Sequence, residues 1–106
     1  MFSDQITIIA RIKAKPGMEQ RMQQDLFGLL VPTRSESGCI TFDLLVDAND
    51  PGIFVLYENW SDQAALDAHF QHPYVKQVLQ AYHETLAEPI SVMSLKKIGR
   101  SKNRDY

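Results

Sequence analysis

Residues 39–60 read CITFDLLV-DANDPG-IFVLYENW, and this stretch decides the fold. Both outer runs alternate with the two-residue period of a strand. In the first, Ile40, Phe42, Leu44 and Val46 share a face. In the second, Ile53, Val55 and Tyr57 share one face, and Phe54, Leu56, Glu58 and Trp60 share the other. Asn49-Asp50-Pro51-Gly52 between them is turn chemistry, so the two strands form an antiparallel hairpin. Both strands are apolar on two sides. Helices packed on one side leave the other uncovered, and a second copy of the same sheet is the simplest cover. The hairpin therefore predicts a homodimer.

Working outward, Ile6 to Lys13 alternates as another strand, with Ile6, Ile8, Ala10 and Ile12 on one face and Lys15-Pro16-Gly17 as the break. Met22, Leu26, Leu29 and Leu30 then fall at helical spacing, with Pro32 expected to kink or end the helix and Gly38 to suit the stop. Beyond the hairpin, Ser61 is the expected N-cap of a short helix whose inward stripe holds Ala65, Leu66, His69 and Phe70. His72 precedes Pro73, which starts the next helix. That helix carries Val75, Val78, Leu79, Tyr82 and Leu86, and Pro89 stops it. Ile90 to Ile98 is the last strand. Strand, helix, strand, strand, helices, strand is the α+β, ferredoxin-like split β-α-β order: an antiparallel sheet with helices on one face.

The chain has 106 residues, enough for one domain, assigned to residues 1–99, with residues 100–106 as a basic, flexible tail. Lys and Arg number 11 against 13 Asp and Glu, a net charge of −2 that excludes nucleic acid as the main partner. The charges are uneven. Nine acids and a single base, Lys76, lie between Glu36 and Glu88, whereas the end from Lys96 is basic. No apolar run approaches the roughly 18 residues that cross a bilayer, so no membrane partner is expected. Met1 to Gln5 carries no signal-peptide pattern. Cys39 is the one cysteine. It rules out an intrachain disulfide and points to the cytoplasm.

Several features taken in order resemble the antibiotic biosynthesis monooxygenase family. They are Gly38-Cys39, Phe42-Asp43-Leu44 with Asp47, Tyr57-Glu58-Asn59-Trp60, Ala65-Leu66-Asp67-Ala68-His69, and His72-Pro73. The resemblance covers roughly residues 5 to 98, and a Glu-x-Trp strand followed by His69 is its most specific part. It implies a ferredoxin-like protomer, two of which pack into a dimeric α/β barrel. It also implies chemistry drawn from cofactor-free oxygenases of anthrones and quinols, haem-degrading enzymes and an isomerase of a phosphorylated autoinducer. The haem-degrading branch carries an Asn on its first strand, and Ile6 to Lys13 has none. The anthrone branch has an Asn four residues before its Trp, where Leu56 stands here. Glu58, Trp60 and His69 carry over, and a quinol monooxygenase is the nearest general match.

The expected catalytic pair is His69 as base with Glu58 as the carboxylate that orients it, both facing the helix–sheet interface. The competing reading is a buried polar pair that only pins helix to sheet. Trp60 is expected as a flat wall of the pocket, with Leu56 and Phe70 completing the substrate-binding surface. Tyr57 points to the partner. His69 and His72 stand three apart, but no third ligand has a telling position, so no metal is expected. Cys39 reads as a small buried residue. No glycine-rich phosphate loop or nucleotide fingerprint is present, so no cofactor is expected. These readings favour a small phenol or quinol and dioxygen as partners. Two alternatives stay open: an isomerase of a small phosphorylated hydroxy-dione, with Arg11 and Lys13 available for the phosphate, and a non-catalytic dimeric binding domain.

Overall fold

The computed structural model describes residues 4–99, so the tail expected at 100–106 lies outside the described residues. Chain order is β1 (Ile6–Lys13), α1 (Glu19–Phe27), α2 (Leu30–Arg34), β2 (Cys39–Val46), β3 (Ile53–Trp60), α3 (Gln63–His69), α4 (Pro73–Thr85) and β4 (Ser91–Lys96). The strands form one antiparallel sheet in the order β2-β3-β1-β4. This is the α+β ferredoxin-like arrangement that the alternation of the strands implied.

Three local expectations are corrected. The long helical run divides at Gly28-Leu29 rather than at Pro32. Pro32 is the third residue of α2. An N–H there has no intrahelical partner, so its loss costs no bond. Asp62, not Ser61, caps α3: its carboxylate accepts from the Ala65 N–H at 2.8 Å. The Ser61 N–H instead donates to the Gly38 carbonyl at 2.9 Å, tying the start of α3 to the approach of β2. In β2 the register shifts between Cys39, opposite Trp60, and Thr41, opposite Asn59. Ile40 is the extra residue of this bulge and is exposed, so it leaves the face it shares with Phe42 by simple alternation.

The registers fix what lies on each side of the sheet. Phe42, Glu58, Ile8 and Ser94 form one helix-side row, and Leu44, Leu56, Ala10 and Val92 form the next. Met22, Leu26, Leu29, Leu66 and Val75 close over the β1–β3 part of this side, and Phe42, Phe54 and Trp60 are buried beneath them. Burying each such side chain is worth about 1.5–3 kcal/mol. Every residue of β4 stays exposed at the sheet edge. On the opposite side lie Leu45, Tyr57, Met93 and Leu95, all exposed in the protomer.

Candidate active site

Glu58 and His69 enter the helix–sheet interface from different elements. Glu58 is on the helix side of β3 because it alternates with Leu56 and Trp60. His69 is the last residue of α3, on the stripe that buries Leu66. Both are buried. They share the lining of a cavity of about 110 Å³ with Phe42, Leu56, Phe70 and Tyr82. This is below the roughly 150 Å³ of an apolar cavity that holds a benzene ring, so the space admits no more than a single ring.

The hydrogen-bond partners differ from the expected pair. His69 Nδ1 lies 2.8 Å from Glu36 Oε2, and Glu36 is the carboxylate that orients the imidazole. Glu58 Oε1 accepts from the Trp60 indole N–H at 2.9 Å. Glu36 sits in the turn between α2 and β2. Its N–H donates to the Thr33 carbonyl at 3.0 Å, and its carbonyl accepts from Cys39 at 3.1 Å. The Tyr74 hydroxyl also donates to Glu36 Oε2, and His72 Nε2 lies 3.6 Å from Oε1. Glu36 therefore joins α3, the start of α4 and the α2–β2 turn at one carboxylate. Sequence reasoning missed it and Tyr74. Glu36 lies 33 positions from His69 in an irregular turn where no periodicity assigns a face.

Trp60 is also placed differently from the expected wall. It is fully buried and lies outside the cavity lining. Its ring centroid is 4.7 Å from that of His69, so it backs the imidazole while its N–H holds Glu58. Phe42 supplies the aromatic surface within the cavity, 5.7 Å from His69, and Phe70 packs edge-on against His69 at 5.3 Å. Leu56 and Phe70 line the cavity as expected. Gly38 has a different reason from a helix stop: a Cβ there would lie 2.2 Å from the Ala65 Cβ. Only glycine lets α3, and hence His69, approach so closely.

The electrostatics separate the two acid–base groups. Burial raises the Glu58 carboxyl from the usual 4.5 to about 7, with the Trp60 N–H pulling it down and the charge of Glu36 adding to the rise. Burial lowers the His69 imidazolium, against the bond and charge of Glu36, which favour it. A carboxylate accepting from Nδ1 fixes the proton there and leaves Nε2 with its lone pair. Burial pushes the Cys39 thiol up to about 11, reinforced by Glu36 and Glu58, so it is not an activated nucleophile. Burial and the Glu36 bond raise the Tyr74 phenol to about 12.

Arg11 and Lys13 do not reach this site. Arg11 stands opposite Val55 and Lys13 opposite Ile53, both on the outer side of the sheet, and the Arg11 guanidinium meets Glu88 at 3.4 Å. Among the described residues no Lys or Arg lines the cavity. Among the same residues, no helix is long and apolar enough to cross a membrane.

An antiparallel ferredoxin-like sheet with a buried Glu-x-Trp strand and a carboxylate-held histidine defines a small α+β domain with a small apolar cavity between sheet and helices. The antibiotic biosynthesis monooxygenase profile matches residues 5–81, and the chain belongs to that family. It is 32% identical over 101 residues to the Escherichia coli protein named probable quinol monooxygenase YgiN, covering 86% of this chain and 93% of that one. It is 33% identical over 89 residues to the Synechocystis protein sll1783. That match takes 84% of this chain but spans only 60% of the relative's length. Among solved structures, Rv0793 from Mycobacterium tuberculosis superposes with a TM-score of 0.86 at 28% identity, covering 92% of this chain and 99% of that chain. PA3566 from Pseudomonas aeruginosa gives 0.86 at 29% identity, covering 93% and 99%.

Proposed function

We propose that the protein is a cofactor-independent monooxygenase that takes a small, uncharged phenol or hydroquinone into the cavity beside His69. The observation that carries this reading is the 2.8 Å bond from His69 Nδ1 to the half-buried Glu36 carboxylate, which keeps a proton on Nδ1 and leaves Nε2 as the basic nitrogen of a residue that lines an apolar cavity. The phenol O–H breaks and its proton goes to Nε2. The resulting imidazolium is stabilised by Glu36. The phenolate is electron-rich enough to pass one electron to dioxygen, so the ring is oxidised as oxygen is reduced. Exclusion of water keeps the phenolate weakly solvated and reactive. The superoxide and the ring radical combine in a C–O bond, and Glu58 gives its proton to the outer oxygen of the resulting peroxide. The O–O bond then breaks with loss of the hydrogen on that ring carbon, so one oxygen stays as a quinone carbonyl, the other leaves as water, and the substrate supplies all the electrons. Phe42, Leu56 and Phe70 hold the ring, and Trp60 fixes Glu58 and backs His69. A second copy of the chain covers the outer side of the sheet, over Leu45, Tyr57, Met93 and Leu95.

A cavity without Lys or Arg favours a neutral substrate over a phosphorylated dione, because a buried phosphate needs a paired charge. The test is oxygen uptake with a panel of hydroquinones. Wild type should exceed the spontaneous rate, and His69→Ala should lower the enzymatic part by about 10²-fold or more, the usual weight of a general base. Full activity in a His69→Ala protein that only melts lower would make the histidine structural. No uptake above background with any hydroquinone would sink the oxygenase reading and leave the isomerase and the binding domain.

A further inference from the structure

The cavity carries its polar groups inside and apolar side chains at its rim. Its acid–base groups are at the closed end: Glu58 is 5% and His69 3% exposed. The large lining residues that reach solvent are apolar: Phe70 at 43%, Leu79 at 41% and Val92 at 59%. They come from three elements, the C-cap of α3, the middle of α4 and the edge strand β4. Val92 pairs with Ala10, so it stands on the helix side of the sheet, beyond the part that the helices roof. The mouth therefore opens between Phe70, Leu79 and Val92.

A ligand matching this gradient has its hydroxyl inward and its hydrocarbon outward. The cavity, at about 110 Å³, is filled by one ring. A larger substituent has to leave through the mouth. We propose that the substrate is a phenol or hydroquinone bearing a linear hydrocarbon chain, with the ring at His69 and the chain lying along Phe70, Leu79 and Val92. This rests on the reading of the cavity as a phenol site. The continuity of the three side chains with that cavity is what assigns them to the ligand's chain rather than to a second copy of the protein.

The test is calorimetric titration of the full chain with phenol and with 4-alkylphenols from methyl to heptyl, which needs no turnover. Affinity should rise by up to about fourfold per methylene while the chain crosses the mouth, then level off. In the double variant Leu79→Ser/Val92→Ser the increment should fall below about twofold per methylene. Both sites are exposed, and a thermal melt checks that the variant folds. A flat series in wild type, as when a second copy seals the mouth, overturns the proposal while phenol binding itself keeps the underlying site. Equal increments in variant and wild type also overturn it. Failure of every phenol to bind, the parent included, removes the phenol site itself.

Discussion

Glu58→Gln isolates the cost of a buried carboxylate. The amide keeps an oxygen for the Trp60 N–H, which lies 2.9 Å from Glu58 Oε1, and nearly the same volume, but it cannot ionise. In the folded wild type, burial holds the carboxyl at about 7, against 4.5 for an exposed glutamate. Between these values the unfolded chain has lost the proton and the folded chain retains it. The folded state binds more protons there, so wild-type stability falls as pH rises through that window. A displacement from 4.5 to about 7, at 1.36 kcal/mol per pH unit, gives a loss on the order of 3 kcal/mol, complete above pH 7. The variant lacks this loss. Its stability relative to wild type should therefore increase by about 3 kcal/mol between pH 4 and pH 8. In a domain of this size that is a relative shift in Tm on the order of 10–20 °C. Urea unfolding of both proteins at half-unit pH steps measures the difference. Taking the difference also removes the contribution of His69, whose lowered imidazolium makes both proteins lose stability as pH falls below about 6.5. A constant gap across the range, or a gap that shrinks as pH rises, would refute the argument that Glu58 is buried at the cost of its charge.

Glu36→Gln should lower the His69 pKa further, because it removes the charge and weakens the bond that favour the imidazolium; an NMR titration of the His69 ring protons measures the shift. Gly38→Ala should destabilise the fold by about 1–3 kcal/mol and reduce hydroquinone oxidation with it, since the added methyl collides with Ala65 and displaces the helix carrying His69; denaturant melts and oxygen uptake follow the two effects. Light scattering on a sizing column should give about twice the 12.1 kDa chain mass, and a monomer at micromolar concentration would contradict the proposal that a second copy covers the outer face.

The sheet was legible because alternation is a local signal. Ile6, Ile8, Ala10 and Ile12, with Phe54, Leu56, Glu58 and Trp60, fall on the helix side as their spacing implies, and His69 faces inward with them. The β2 bulge was not legible. A single inserted residue keeps the apolar composition and changes only the register, which exposes Ile40 and brings Cys39 opposite Trp60. The site was legible by half for a related reason. Spacing can place Glu58 and His69 on converging faces, but hydrogen-bond partnership depends on tertiary approach. Glu36 reaches His69 from a turn, and Asp62 takes the cap from Ser61 because Ser61 is drawn to the Gly38 carbonyl. Trp60 could not be separated from the cavity wall by pattern alone. Its indole shares a face with Glu58 but lies outside the cavity lining.

The most direct measurement is a crystal structure of the protein soaked with hydroquinone. The ring should lie among Phe42, Leu56 and Phe70, with a hydroxyl oxygen within roughly 2.6–3.2 Å of His69 Nε2, the reach of a working base. A ring bound in the separate pocket that Glu36, Ser61, His72 and Tyr74 line, on the outer side of the sheet, or with its oxygens turned away from His69 would contradict the assignment of His69 as the base.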